Sequence, residues 1–268
     1  TNAVAMSANP PMNRILSSYF EASTRIFQAF NPNGDLYFEG NIGINGNFVD
    51  TKSNTQTRSN YANCNSSIYS IKDSITLIST EDIYRNSLSV ITNNTNIDDL
   101  IIKNAKIFSD EFIRIPYDFD SIDVRNSIII PSISVYKGFK QEKQSNFIID
   151  SSVIITDGTT SDILSLLNKN FYFTNNFYEA NGTAFNIKLA AEDGYYPYFE
   201  IKNNRIYSKN IENGYPIEIG TTSFTNKNRL YGVVEQNERK GGIFFNDSIL
   251  PVNHGVSIWH TDSIVIRY

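Results

Sequence analysis

The sequence predicts an all-β fold whose main part is a right-handed, single-stranded parallel β-helix, a solenoid of stacked coils. A ten-residue pattern, in which a two-residue Asn or Ser corner separates two short apolar stretches, recurs along the chain. Its clear copies are residues 100–109, 122–131, 147–156 and 199–208. Their corners lie 22, 25 and 52 residues apart, and 52 is close to two turns with one weaker copy between them. A period in the twenties is typical of a solenoid coil, because about three short strands and their turns use that length.

The corner residues explain how the chain bends and how coils stack. Asn104, Asn126, Ser151 and Asn203 carry small polar side chains, which favour tight bends and can form a ladder of hydrogen bonds between coils. Asn, Ser, Thr and Ile are abundant, as expected for turns and strands. A leucine-rich repeat is not supported, because no Leu-x-x-Leu-x-Leu framework appears. The alternative is a sandwich of antiparallel strands, in which the same bends are hairpin tips.

Weaker copies extend the pattern in both directions. Their corners are residues 73–74 and 86–87 upstream, and 221–222, 247–248 and 262–263 downstream. The parallel β-helix is predicted to span residues 67–225. Because the downstream spacings are uneven, residues 226–268 are predicted to form C-terminal β-rich coils or a cap.

Residues 1–33 are predicted to form an N-terminal tail and an α-helix. After Asn9-Pro10-Pro11, the apolar residues from Met12 to Phe30 lie mostly three or four positions apart, which is the period of an amphipathic helix. The turn sequence NPNG at residues 31–34 then ends it. This helix either packs on its own domain, caps the solenoid, or associates with copies of itself as a short trimeric neck.

Residues 34–66 are predicted to form a glycine-rich β stem and a linker. In GDLYFEGNIGINGNFVDTKS, residues 34–53, apolar residues fall at even positions and glycines lie between them. This stretch resembles the GDL-x-x-x-GN-x-x-x-NG-x-x-V segments of bacteriophage tail fibres and tail spikes, in which three chains wind about each other. The resemblance covers only these twenty residues. The alternative for them is a simple β-hairpin.

The resemblance implies a phage tail spike or receptor-binding protein that recognises a bacterial surface polysaccharide as a homotrimer. Such a protein would lie in the virion tail and act outside the host cell. One alternative is a polysaccharide depolymerase, a glycosidase or lyase with paired carboxylates on the same scaffold. Another is a non-enzymatic adhesin of the bacterial cell surface. Whether the chain is an enzyme stays open, and its shortness for a depolymerase spike favours binding.

Acidic and aromatic residues occur together in the segments between the predicted strands. Glycoside hydrolysis needs two carboxylates about 5–5.5 Å or 6.5–9.5 Å apart, and acids one or two coils apart can meet either distance. The catalytic candidates are Asp118, Asp120, Glu179, Glu192 and Asp193. Sugars stack on aromatic faces, and the glycan-binding candidates are Tyr117, Tyr178, Tyr195, Tyr196 and Tyr198. For each acid the simpler interpretation is a solvated loop carboxylate.

Composition and missing motifs argue against several other classes. A net charge of −5 does not fit a nucleic-acid reader, and no apolar run reaches the ~18 residues needed for membrane insertion. A single cysteine, Cys64, excludes an internal disulfide and is interpreted as a surface thiol. No P-loop, dinucleotide or G-x-S-x-G motif is present, so no cofactor is predicted. No metal site is predicted either, because the acids from Asp118 to Asp123 lack the EF-hand spacing and its glycine.

Overall fold

The structure is a computed structural model, and it describes the chain as strands joined by short turns. The described residues are 2–6, 12–29, 34–72, 75–93, 96–115, 118–138, 143–156, 164–180, 187–191, 195–208, 217–219, 230–240, 256–258 and 263–267. Within these ranges every regular element is a β-strand. The described part of the chain is therefore all-β, as the sequence predicts.

The strands are short in most coils and long where two successive strands of one coil merge. The first nine are β1 (Asn2–Met6), β2 (Met12–Leu16), β3 (Tyr19–Ala29), β4 (Asp35–Glu39), β5 (Ile42–Thr51), β6 (Thr55–Arg58), β7 (Tyr61–Cys64), β8 (Ser67–Ile71) and β9 (Leu77–Thr80). The next nine are β10 (Ile83–Asn93), β11 (Ile97–Lys103), β12 (Lys106–Ile115), β13 (Phe119–Arg125), β14 (Ile128–Gly138), β15 (Ser145–Asp150), β16 (Val153–Thr156), β17 (Leu164–Leu167) and β18 (Lys169–Thr174). The last nine are β19 (Phe177–Ala180), β20 (Ile187–Ala190), β21 (Tyr198–Lys202), β22 (Arg205–Ser208), β23 (Ile217–Ile219), β24 (Tyr231–Glu235), β25 (Glu238–Lys240), β26 (Val256–Ile258) and β27 (Ser263–Arg267).

These strands form two parallel sheets that run the length of the described chain. Sheet 2 has eleven strands, in the order β2-β4-β6-β9-β11-β13-β15-β18-β21-β24-β27, and each pairs in parallel with the next. Sheet 1 has sixteen strands, and its pairings are parallel as well. The predicted parallel solenoid is therefore confirmed, and an antiparallel sandwich is excluded. Its right-handedness stays a prediction.

Each coil turns from sheet 2 into sheet 1 at a corner residue in the left-handed conformation. The corner residues are Ser17, Gly40, Ser59, Glu81, Asn104, Asn126, Ser151, Asn175, Asn203 and Gln236, with φ between 47° and 65°. Asn and Ser tolerate this region because their short polar side chains bond locally to the backbone. The four clear predicted corners are confirmed, and Asn175 is the weaker copy expected between Ser151 and Asn203.

Other predicted corners are wrong or lie outside the described residues. The pair 86–87 lies inside β10, at an irregularity between Arg85 and Ser87, and the true corner of that coil is Glu81. Residues 73–74, 221–222, 247–248 and 262 lie outside the described residues. The last described corner before β25 is Gln236.

Side chains directly after the corners form a hydrogen-bonded ladder along the solenoid. Its members are Asn41, Asn60, Asp82, Ser127, Ser152, Asn176, Asn204 and Asn237. The side-chain oxygen of each accepts a hydrogen bond, 2.7 to 3.2 Å long, from the backbone N–H at the same position in the preceding coil. Ala105 interrupts the ladder because a methyl group cannot accept a hydrogen bond. The ladder satisfies backbone donors that would otherwise be buried without partners.

The core lies between the two sheets and is filled by inward-facing aliphatic and aromatic side chains. In sheet 2 one inward column contains Leu100, Ile122, Phe147, Phe171 and Phe199 on successive coils, all fully buried. Rings on neighbouring coils contact each other, with 6.2 Å between the centroids of Phe147 and Phe171. Stacked coils thus share one continuous core, and each coil is stabilised by its two neighbours.

A polar network replaces part of this core at the coils of β6 and β9. The Asp82 carboxylate accepts hydrogen bonds from the hydroxyls of Thr57 at 2.5 Å, Ser79 at 2.7 Å and Tyr84 at 2.8 Å. The Tyr84 hydroxyl lies 2.7 Å from that of Tyr69. Burial raises the pKa of Asp82, and these hydrogen bonds oppose the rise. Because all five groups are buried, we assign the network to the core and not to a binding surface.

Cys64 lies in the core, and its prediction as a surface thiol is wrong. It ends β7, faces inward and has no exposed area. Burial raises the pKa of its thiol to about 12, so almost no thiolate exists at neutral pH.

We expect DTNB at pH 8 to leave Cys64 of the native protein unlabelled over many minutes, because the thiol is buried and protonated. One thiol per chain should react at once in concentrated urea, and the single cysteine of the sequence makes this count unambiguous. Fast labelling of the native protein would contradict the packing of β7.

The predicted N-terminal helix is wrong, because residues 12–29 form two strands of the solenoid. Met12–Leu16 is β2 in sheet 2, Tyr19–Ala29 is β3 in sheet 1, and Ser17 is an ordinary corner between them. The pairing of β3 with β5 is irregular between Ala22 and Arg25. An extra residue here interrupts the alternation of a strand, and the resulting spacing imitates the period of a helix.

The glycine-rich stretch belongs to the same two sheets as the rest of the solenoid. Its strands β4 and β5 pair in parallel with strands before and after them. A Cβ on Gly46 would lie 2.6 Å from the backbone carbon of Thr24 in the preceding coil. This glycine therefore allows a close approach between coils of one chain. Likewise β24 to β27 continue both sheets, so the described C-terminal strands are coils.

Candidate functional site

Outward-facing side chains of sheet 2 form the candidate site. Buried and outward positions alternate along each strand, and in β18 two buried phenylalanines flank the outward Tyr172. Because the strands are stacked in register, outward residues form columns along the solenoid. Tyr172 lies beside Glu200, and Tyr198 lies beside Tyr231. Aromatic and acidic side chains from three successive coils therefore meet on one face.

Three tyrosines form a continuous aromatic surface, which we call the tyrosine ledge: Tyr172, Tyr198 and Tyr231. Ring centroids are 5.9 Å apart between Tyr172 and Tyr198 and 5.4 Å apart between Tyr198 and Tyr231. Partial burial, and then the nearby negative charge of Glu200, raise the pKa of Tyr172 and of Tyr198. The phenols of Tyr172 and Tyr198 therefore stay neutral at physiological pH, with ring faces for stacking and hydroxyls for hydrogen bonding.

Amide side chains fix the position of the ledge. The Asn170 side-chain oxygen accepts hydrogen bonds from the backbone N–H of Tyr198 at 2.9 Å and from the Gln144 amide at 3.1 Å. The Asn170 amide nitrogen donates to the side-chain oxygen of Asn146 at 3.0 Å. Gln144 also donates to the backbone oxygen of Tyr196 at 3.3 Å. This network connects three coils at the N-terminal ends of their strands in sheet 2.

A shallow hollow of about 370 Å³ lies beside the ledge and opens to solvent. It is lined by Arg125, Ile148, Asp150, Tyr172, Thr174 and Glu200. The Arg125 guanidinium donates to Asp123 at 2.7 Å, so its charge is partly balanced. Aliphatic, aromatic and charged groups thus surround one space, a combination typical of ligand sites.

Asp150 is a preorganised anion at the rim of this hollow. Partial burial raises its pKa, but hydrogen bonds from Thr174 at 2.6 Å, Asn175 at 2.8 Å and Ser151 at 3.1 Å, with the charge of Arg125, bring the pKa below its usual value. The stability from these bonds is complete above the unfolded-state pKa of 3.8 and is lost as the pH falls through the lower folded-state pKa. Asp150 is therefore suited to accept hydrogen bonds and not to act as a general acid.

Glu200 lies between the ledge and the hollow and forms no hydrogen bond or ion pair with the described residues. Its negative charge acts on both Tyr172 and Tyr198, which places it close to their hydroxyls. Asp150 and Glu200 lie on β15 and β21, two strands apart, and the register places them two residues apart along the strands, so their backbones are separated by roughly 12 Å. Inversion at a glycosidic bond uses carboxyl groups about 6.5–9.5 Å apart, so the two side chains would have to point towards each other to reach that range.

Asp118, a predicted catalytic acid, lies in a buried ion pair. Its carboxylate accepts a hydrogen bond from the Lys169 ammonium at 2.7 Å, and Lys169 also donates to the backbone oxygen of Lys143. The same ammonium lies 4.8 Å from the centre of the Phe119 ring. Burial lowers the pKa of Lys169, and Asp118 opposes that shift. These contacts indicate a structural role for Asp118 within its coil.

Four other predicted residues, including Tyr198 of the ledge, lie at the N-terminal ends of strands in sheet 2. Asp120 is exposed on β13 and pairs with Lys143 at the surface. Tyr195 and Tyr196 directly precede β21, and Tyr196 is 46% exposed. Tyr198 is the centre of the ledge. The structure therefore brings Asp120 and these tyrosines to one edge, across four coils.

Two predicted site residues lie elsewhere. Tyr178 is buried in the core, with its ring 5.8 Å from that of Phe173, so it cannot present a face to a glycan and its prediction is corrected. Glu179 faces outward on β19, which belongs to sheet 1, and is thereby separated from the acids on sheet 2. The remaining candidates, Tyr117, Glu192 and Asp193, lie outside the described residues.

Sequence reasoning missed Tyr172, Glu200, Asp150 and Tyr231, which lie within strands. A signal was available, because Tyr172 and Glu200 each precede a corner by three residues, at Asn175 and Asn203. Aligning the coils on their corners places such residues in one column. Functional residues concentrate in the segments between strands in most folds, so the residues predicted from the sequence came from those segments.

The described part of the chain contains neither a candidate metal site nor a candidate membrane-spanning helix. There, no three His, Cys, Asp or Glu side chains are grouped so that they could hold a metal ion. Among the same residues no helix has the length and apolar character required to cross a membrane.

The chain matches no protein-family model, no curated protein and no solved structure. Its function must therefore be inferred from the fold and from the chemistry of the tyrosine ledge and its hollow.

Proposed function

We propose that this protein is a phage receptor-binding protein or tail spike that binds a bacterial surface polysaccharide on the tyrosine ledge. The observation that carries the proposal is the row of Tyr172, Tyr198 and Tyr231 beside the carboxylates of Asp150 and Glu200. Parallel β-helices are common among phage tail spikes and polysaccharide-degrading enzymes. The glycine-rich stretch in residues 34–53 supports the same class by resemblance.

The chemistry of the ledge suits a carbohydrate better than an apolar or strongly charged ligand. Neutral phenol rings offer flat surfaces for the C–H faces of sugars. The ionised carboxylate of Asp150 can accept hydrogen bonds from sugar hydroxyls, and these charge-assisted bonds are about twice as strong as neutral ones. Because the ledge crosses three coils, it has room for successive units of a chain.

The experiment measures binding to a panel of purified capsular and O-antigen polysaccharides on a glycan array. Tyr198→Ala removes the central ring, and we expect it to weaken binding of the preferred polysaccharide by at least tenfold. Tyr37→Ala is the matched control, because Tyr37 faces outward on the same sheet but lies on β4, far from the ledge. Equal binding by the two variants, or no binding by the wild type to any polysaccharide, would overturn the proposal.

A depolymerase is the second candidate, and the presence of Asp150 and Glu200 in the lining of one hollow favours it. An inverting hydrolase would use the ionised Asp150 as base and Glu200 as acid. Release of reducing ends from a bound polysaccharide, abolished in Glu200→Gln while binding persists, would establish it. Binding without release leaves the receptor-binding function. The homotrimer and the virion location implied by the resemblance stay predictions.

A further inference from the structure

From β5 to β19, the outward face of sheet 1 directly after the corners is mostly apolar. We call it the apolar face: Ile42, Ile44, Tyr61, Ile83, Phe108, Ile128, Ile130, Val153, Ile155 and Phe177. These residues occupy two adjacent columns on seven strands, β5, β7, β10, β12, β14, β16 and β19. The other four positions of the two columns are Asn63, Arg85, Lys106 and Glu179.

These side chains point away from the core. In β14, Ile129 is buried while Ile128 and Ile130 on either side of it are partly exposed, and Ile42 is 41% exposed. A sheet with one face in water normally places polar residues there, as sheet 2 does with most of its outward positions. An apolar column on the solvent side therefore indicates a surface that is covered in the working protein.

The dimensions of the apolar face fit the centre of a protein interface. Seven strands at about 4.8 Å and two columns about 13 Å wide give a footprint of roughly 440 Å². A stable interface buries about 800 Å² per partner and has an apolar centre with a polar rim. The apolar face supplies the centre, and the neighbouring polar side chains supply the rim.

We propose that a second copy of this chain covers the apolar face, packed antiparallel about a two-fold axis along β14. Arg85 and Glu179 carry this choice, whereas Lys106, the third charged residue of the face, lies over Val153 in this arrangement. With this axis, β10 of one copy lies over β19 of the other, so Arg85 faces Glu179 in both halves of the contact. The isoleucines Ile128 and Ile130 then meet their own counterparts at the centre.

Parallel packing about a three-fold axis gives a poorer match of charges. Equivalent residues then lie at one level, so Arg85 approaches Arg85 and Lys106 approaches Lys106 of the neighbouring copies. Like charges brought together in a desolvated interface cost several kcal/mol. The charge pattern thus favours two copies over the homotrimer implied by the resemblance, and it does so independently of glycan binding.

Sedimentation equilibrium of the wild type tests the proposal, and we expect twice the 30.4 kDa mass of the chain. Ile130→Asp places a charge at the centre of the contact and should give the monomer. Ile101→Asp is the matched control, because Ile101 is an outward isoleucine on β11 of sheet 2, and this variant should stay dimeric. Circular dichroism melting confirms that each variant is folded.

A charge exchange tests the antiparallel orientation. Arg85→Glu should weaken the dimer at least tenfold, and adding Glu179→Arg should restore it, because the two positions face each other only in the antiparallel arrangement. A wild type that is still monomeric at about 100 µM would overturn self-association through this face. Three times the chain mass, or a double exchange that fails to restore the dimer, would overturn the two-fold arrangement.

Discussion

Replacing Lys169 with methionine is expected to lower the free energy of unfolding by about 3–5 kcal/mol, because it removes the ammonium that pairs with the buried carboxylate of Asp118. The Lys169 side chain has 0% exposure and donates to Asp118 at 2.7 Å. Methionine has similar length and fills the same space, so the loss reports the contacts of the ammonium and not a cavity. Urea unfolding at pH 7, followed by circular dichroism, measures it.

Two further variants separate the ion pair from general effects of losing a lysine. Lys143→Met removes a surface ammonium that pairs with the exposed Asp120, and it should cost under about 1 kcal/mol. Adding Asp118→Asn to Lys169→Met removes the buried negative charge as well and should recover much of the loss. If Lys169→Met and Lys143→Met are equally stable, the buried pair does not have the role assigned to it.

Replacing Asn204 with alanine is expected to cost about 3 kcal/mol, because one side chain serves two coils of the ladder. Its oxygen accepts from the backbone N–H of Asn176 at 2.9 Å, and its nitrogen donates to the backbone oxygen of Phe173 at 2.7 Å. Both backbone groups would be left buried without these partners, at about 1–3 kcal/mol each. Urea unfolding of the variant measures the loss.

Serine at position 204 is the informative comparison. At Ser127 and Ser152 the hydroxyl already accepts the ladder bond, at 3.2 and 3.1 Å. Asn204→Ser should therefore retain part of the stability that Asn204→Ala loses. Asn65→Ala, at an exposed asparagine, should be nearly neutral. An alanine variant as stable as the serine variant would show that the ladder bond contributes little.

The coil repeat could be predicted from sequence because its corners need a special backbone. Few residues other than glycine adopt positive φ readily, so Asn and Ser recur at Asn104, Asn126 and Ser151. Glu81 and Gln236 occupy the same conformation but carry no such signal, and both corners were missed. The helix prediction failed for a related reason, since the irregularity after Ala22 breaks the two-residue period on which strand recognition depends.

The candidate site was harder to predict because its parts are distant in sequence. Tyr198 was identified beside other aromatic residues, whereas Tyr172 and Tyr231 come from the coils on either side. Only the register between coils brings these rings together. Tyr178 shows the converse error, because alternation within β19 turns its side chain inward while Glu179 faces out.

Because the coils stack in register, the length of the solenoid can change without changing the arrangement of the tyrosine ledge. Each strand of sheet 2 contacts only the strands before and after it, so gaining or losing one whole coil among β4 to β11 leaves Tyr172, Tyr198 and Tyr231 in the same arrangement. It moves them about 4.8 Å nearer to, or farther from, the first coil. Changing the length of the solenoid and changing the residues of the tyrosine ledge are therefore independent steps, open to separate selection and to separate engineering.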